Sequence, residues 1–194
     1  MNLVKSGIRE ETMNNIEKRH YDPFDLFGNR WALISAGTPD HFNGCTVSWG
    51  SMGKLWTRDK DSGYMITVYI HPARYTSEFM LKNDQFTVSF FPPEYKKALA
   101  VMGSHSGRNE DKTRIAGLTP IPFGNSIDFE EASLSFLCKK VYQHQFAVED
   151  IAREVQDYYA ANPKVYPSEE EPGWQPHIVF IGEILDVIDT EDKG

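Results

Sequence analysis

The segment Asn43-Gly44-Cys45-Thr46-Val47-Ser48-Trp49-Gly50 reads as a β-strand with two unlike faces. Side chains alternate along a strand, so Cys45, Val47 and Trp49 fall on one side and Thr46 and Ser48 on the other. The first side reads as core. The second carries two small hydroxyls and is flanked by glycines, and two readings fit it. It is an ordinary half-buried surface with Thr46 and Ser48 facing water, or it is a wall on which a flat polar ligand lies close to backbone N–H groups.

Outward from this segment the chain alternates strands with short helices. Upstream, residues 31–36 read as a strand, and residues 37–44 as a turn-rich connection out of it. Residues 1–21 are polar and mixed in charge. They read as an arm, weakly ordered or ordered against a partner subunit, and residues 22–194 read as one domain. Within residues 22–28, Asp22 suits a cap, Pro23 a first helical position and Gly28 a stop. Downstream, residues 51–62 read as a loop and residues 64–70 as a central strand rich in β-formers. Residues 77–82 follow as a helix with Thr76 at its N-cap. Residues 85–90 are a strand, residues 92–102 a helix opened by proline, and a short helix ends at Gly117. The last third reads as a long strand over residues 132–146 and a helix over residues 148–159. A solvated, Pro- and Glu-rich excursion over residues 162–176 and a closing strand over residues 177–188 follow. Many strands with short helices between them predict a mainly β fold, a β-barrel with helical inserts, not a Rossmann sheet.

Composition narrows the function. A net charge of −8 opposes general binding to nucleic acid or acidic membranes, which phosphate neutralisation drives. The two cysteines, Cys45 and Cys138, sit in apolar runs and read as inert buried thiols. No signal-peptide pattern opens the chain and no apolar run nears the ~18 residues of a membrane span, so a soluble cytoplasmic protein is expected. The histidines lack HxxxH and HExxH spacing, and no metal site is expected. GxSxG is absent, and Glu130 and Glu131 have no evident partner for glycosidase chemistry.

Two further segments suit an anion. The strand over residues 64–70 leads into His71-Pro72-Ala73-Arg74-Tyr75-Thr76. Arg74 offers a planar donor fork, and Thr76 a hydroxyl at a helix N-terminus where free N–H groups favour negative charge. A capped surface helix with a surface arginine fits the same residues equally well. The loop over residues 103–112 supplies small residues and cations: Ser104, Ser106, Gly107, Arg108 and Lys112. His105 within it suits the anion site or a plain surface, and His144 reads as a strand residue facing water or ligand. Neither GxxxxGK[ST] nor GxGxxG is present, so a phosphate here belongs to another kind of nucleotide site.

In order and spacing these motifs resemble the flavin reductase-like family. They are Asn43-x-x-Thr46-x-Ser48-Trp49-Gly50, Pro72-Ala-Arg-Tyr-Thr76, Ser89-Phe-Phe91, Ser106-Gly-Arg-x-x-Asp-Lys112, Gly117-Leu-Thr-Pro120 and the run from His177 to Ile184. The similarity spans residues 31–187 and is nearest to flavoredoxin-type members. The resemblance implies an FMN-binding split barrel and a homodimer, with FMN held non-covalently near the dimer interface. It implies hydride transfer from NADH or NADPH to FMN. By position, Asn43, Thr46, Val47, Ser48 and Trp49 would border the isoalloxazine, and Arg74, Tyr75 and Thr76 would hold the phosphate or ribityl chain. Ser106, Gly107, Arg108 and Lys112 would complete the anion site, and His177 would approach the flavin from the last strand. No catalytic acid or base is assigned. The stretch before His177 is longer and more acidic than the family pattern, and little chain follows the final strand. Three alternatives stay open: an FMN electron-transfer protein that does not turn over NAD(P)H, a flavin carrier, and a split-barrel relative that binds haem or pyridoxal phosphate.

Overall fold

The computed structural model describes Ile16 and residues 19–59, 62–162 and 175–191. Nine strands are present among them: β1 (Ala32–Thr38), β2 (His41–Val47), β3 (Gly50–Lys54), β4 (Tyr64–Ile70), β5 (Gln85–Phe90), β6 (Pro120–Phe123), β7 (Ser126–Phe129), β8 (Leu134–Gln145) and β9 (Ile178–Asp189). Four α-helices join them: α1 (Tyr75–Lys82), α2 (Lys96–Ser104), α3 (Lys112–Ala116) and α4 (Arg153–Ala161). Strands β6 and β7 form a separate hairpin, and the other seven form one antiparallel sheet in the order β2-β1-β5-β8-β9-β4-β3. The two edges of that sheet, β2 and β3, are consecutive in the chain. Only Ser48 and Trp49 separate them, a reach of at most ~11 Å. The sheet must therefore roll up until its edges nearly meet, which gives the expected barrel with helical inserts.

Alternation sorts the strands into an inner and an outer face. Ile34, Cys45, Ile66, Val68, Phe86, Val88, Phe136 and Phe180 fill the interior, each 2% exposed or less. Gly182 of β9 is glycine because a Cβ there would lie 2.5 Å from the Phe86 ring and 2.7 Å from the Cys138 Cβ. A second cluster lies outside. Leu33 packs with Ala98, Leu99 and Met102 of α2 and with Ile127 and Phe129 of the β6–β7 hairpin. This contact sets the C-terminal end of α2 beside β2, where the Thr46 hydroxyl donates to the Leu99 carbonyl at 2.6 Å.

Several local expectations are corrected. The opening segment is not one strand: β2 stops at Val47 and β3 begins at Gly50. The alternation phase breaks there, and Trp49 turns outward to 42% exposure instead of joining the core. Residues 37–44 are not a long connection, because β1 and β2 pair down to Thr38 and His41. The supposed loop after Gly50 begins with β3. Helix α1 starts at Tyr75 with Arg74 at its N-cap; Thr76 lies in the first turn and gives its hydroxyl to Asn43 Oδ1 at 3.1 Å. The N-cap position of the turn is Pro23, with Asp22 one residue before it accepting from Phe24 N–H at 2.9 Å, and the turn is π-helical over Phe24–Arg30 and runs past Gly28. The helix expected over residues 148–159 is a 3-10 turn, Val148–Asp150, followed by α4. Most of the arm and most of the 162–176 excursion lie outside the described residues. The arm's described end is packed: the Tyr21 ring meets Phe136 edge-on at 5.2 Å, and Arg19 pairs with Asp189. Among the described residues no helix is long and apolar enough to cross a membrane.

Candidate functional site

Several elements meet at one end of the barrel. β2 runs out at Val47, Ser48 and Trp49 cross to β3, β4 runs out at Ile70, and β9 begins just after His177. Thr46, Val47, Ser48, Trp49, Arg74 and His177 line a cavity of about 210 Å³ there. A smaller cavity of about 70 Å³ adjoins it, lined by Arg74, Tyr75, Thr76, Ser106, Gly107 and Lys112. Cys45 and Arg74 border both, so the two form one tract from Trp49 to the loop after α2. Eleven of the thirteen expected residues line it. Asn43 stands behind the smaller cavity, 4% exposed and bonded to Thr76. Arg108 is directed elsewhere: its guanidinium lies over the Tyr75 ring at 4.6 Å and pairs with Glu78.

The cations are held by the end of α2. Arg74 Nη1 donates to the Gly103 carbonyl at 2.7 Å, and Lys112 Nζ to the Met102 and His105 carbonyls at 3.1 and 3.4 Å. The last carbonyls of a helix are natural acceptors for such groups. The contacts fix both side chains while leaving Arg74 four further N–H donors. Lys112 is only 6% exposed, and burial pushes its ammonium below the ordinary value. An anion arriving beside it would offset that cost. The N-terminus of α1 has no side-chain cap, and its first two residues, Tyr75 and Thr76, line the smaller cavity. A Cβ at Gly107 would stand 2.2 Å from Asn43 Nδ2, so a side chain here would have to displace the Asn43 amide. The loop backbone thus comes close against β2.

The larger cavity is walled by rings. Trp49 and His177 are 4.6 Å apart between centroids, and His71 meets His177 edge-on at 5.3 Å. Burial, then His71 and Arg74, push the His177 imidazole down to about 4. Burial, then Arg74, lowers His71 as well. Both rings are neutral at pH 7. Ala73 N–H donates to His71 Nδ1 at 3.2 Å, which puts the His71 proton on Nε2.

The sign of the His177 shift fixes a pH dependence. The unfolded chain takes up this proton near pH 6.5, whereas the folded chain resists until about pH 4. The stabilisation is complete above about pH 6.5 and is lost as pH falls through that window. Urea unfolding at pH 7 and pH 4.5 should show a His177→Gln variant losing less stability on acidification than the parent, by about 2–3 kcal/mol. Equal losses would contradict the shift.

Cys45, Tyr69 and His71 were not singled out from the sequence as site residues, yet all three line the tract. The signals available were that Cys45 and Val47 share a strand face and that His71 follows a strand end directly. Both cysteines are buried and free, and burial pushes both thiols up. Among the described residues no cluster of three potential ligands forms a metal site.

The model of the flavin reductase like domain matches residues 24–194. Among solved structures, an FMN-binding protein from Thermus thermophilus with bound 1-cyclohex-2-enone superposes with a TM-score of 0.59 at 20% identity, over 89% of this chain and 79% of that one. Flavoredoxin of Desulfovibrio vulgaris gives 0.58 at 23% identity, over 84% and 69%. A Shewanella frigidimarina protein with a split barrel domain gives 0.59 at 18% identity, over 95% and 79%. These likenesses establish the split-barrel fold. No curated protein matches.

Proposed function

The chain belongs to the flavin reductase like domain family, and from that premise we propose that it is an FMN-binding oxidoreductase that takes hydride from NADH or NADPH. One observation carries this reading: the small cavity bounded by Arg74, Lys112, Ser106, Gly107 and the first turn of α1 opens beside a ring-walled one. The residues fit the group. A phosphate there would meet two cations and the uncapped start of α1, beside a loop in which a Cβ at position 107 would crowd the Asn43 side chain. When bound, FMN supplies the two-electron ring chemistry.

The chain's own residues bind, orient and exclude water. Arg74 and Lys112 hold the phosphate, with Tyr75, Thr76, Ser106 and Gly107 completing its cradle. Asn43 acts through Thr76 and the Gly107 loop. Thr46, Val47, Ser48 and Trp49 border the ring system. His177, neutral and tilted against the Trp49 ring, walls the same cavity without adding positive charge. Arg108 acts on this site through Tyr75. The described surface carries exposed Val141 and Tyr142 on β8 and Tyr158 on α4, which supports a homodimer.

The test is the visible spectrum of the FMN-reconstituted protein during anaerobic addition of NADH and then NADPH. Bleaching of the flavin band by either nucleotide is expected. A bound flavin that bleaches with dithionite alone would instead favour the electron-transfer reading.

A further inference from the structure

A third cavity, about 680 Å³, continues outward from Ser48, Trp49, Tyr69 and His177. Its size suits a small-molecule site, for which about 300–1,000 Å³ is usual. Its walls are aromatic and come from distant parts of the chain. Phe24 and Phe27 belong to the π-helical turn, Phe146 follows β8, and Tyr159 lies on α4. Tyr69 and Phe146 stack with centroids 5.9 Å apart and planes within 25°. Ser48 and His177 supply uncharged polar groups on the wall shared with the site described above.

The charges are divided between the two ends. Arg74 and Lys112 lie in the small cavity, whereas no lysine or arginine among the described residues lines the large one. Among the described residues Asp150 is the one acidic side chain on its wall. A carboxylate at the edge of an apolar cavity repels anions and leaves neutral ligands alone. Flat rings favour planar partners through offset and edge contacts.

We propose that this cavity binds an uncharged, planar aromatic compound with one hydrogen-bond acceptor, and that Asp150 is the residue that rejects anionic analogues. The aromatic rings and Asp150 select the ligand, and Ser48 or His177 receives its acceptor. Its standing as the second-substrate site rests on the flavin reading above; the binding itself does not.

The experiment titrates the protein, with and without FMN, against two probes that share a ring system: 2-acetonaphthone, which is neutral, and 2-naphthoate, which is anionic. Isothermal titration reads both, and FMN affinity is measured on each variant. In the parent, 2-acetonaphthone should bind about tenfold or more tightly than 2-naphthoate, the scale of one repelling charge near a surface. Asp150→Asn should shrink that gap to about threefold or less by strengthening naphthoate binding. Phe146→Ala should weaken 2-acetonaphthone about tenfold with FMN affinity unchanged. Equal affinity for the two probes in the parent, or a gap that Asp150→Asn leaves intact, overturns the proposal. If the probes behave as stated while FMN fails to bind, the cavity assignment stands and the flavin reading falls.

Discussion

Replacing Arg74 by alanine together with Lys112 by methionine is expected to weaken FMN binding by about 10²–10⁴-fold, since each lost charge-assisted contact is worth about 1.5–3 kcal/mol. Both side chains border the small cavity and approach it from different elements. Arg74 immediately precedes α1, and Lys112 opens α3. Each also ties down the end of α2, so a loosened helix has to be separated from a lost phosphate contact. Methionine keeps the buried stem at position 112 and limits that effect. Riboflavin, which has the same ring system without the phosphate, is the control ligand. Its affinity should change about threefold or less in the double variant, because the ring walls are untouched. Fluorescence titration of both ligands against parent and variant reads the difference. A parallel loss for FMN and riboflavin would show that the substitutions damage the fold and not a phosphate site.

The second large effect concerns the barrel itself. Phe136→Ala should destabilise the protein by about 3–5 kcal/mol, the usual cost of deleting a buried phenyl ring. Phe136 is fully buried near the start of β8. Its ring meets Tyr21 and Phe90 edge-on at 5.2 and 6.4 Å, so the cavity left behind has rigid aromatic walls that relax little. A chain of this size loses about 2–4 °C of melting temperature per kcal/mol, so a drop of roughly 10 °C is expected. Calorimetry on parent and variant reads it. A shift of about 2 °C or less would mean that β8 does not form the barrel wall described. The Tyr21 contact also predicts that this variant loosens the end of the N-terminal arm.

Some of this architecture was legible in the sequence for identifiable reasons. β4 and β5 are dense in β-branched and aromatic residues, and their observed limits match the sequence reading. β3 was missed because Gly50-Ser-Met-Gly-Lys54 has no alternation to read. It is an edge strand held only by β4, and its residues are partly or fully exposed. The β6–β7 hairpin has four-residue strands, and Pro120 and Pro122 mask the first. Trp49 was assigned to the core because the strand was carried straight through Ser48. Only the rolled sheet shows that the chain must change edges there. At the site, Arg74, Lys112 and Gly107 were legible through their chemistry, as two cations and a residue without a side chain. The role of Cys45 as a wall common to two cavities was not, because it depends on β2, α1 and the loop after α2 meeting in space. Arg108 carried the same chemical signal as Arg74. Glu78, one helical turn into α1, draws it away, and nothing in its own segment announces that partner.

The central claim is that the small cavity receives the phosphate of FMN, and the most direct measurement compares FMN with riboflavin on the parent protein. Equilibrium fluorescence titration at pH 7 and moderate salt gives both affinities. The account predicts one FMN per chain and an FMN affinity about 10²-fold or more above that of riboflavin, the share carried by a charged phosphate between two cations. Equal affinities, or binding of neither ligand, would contradict it.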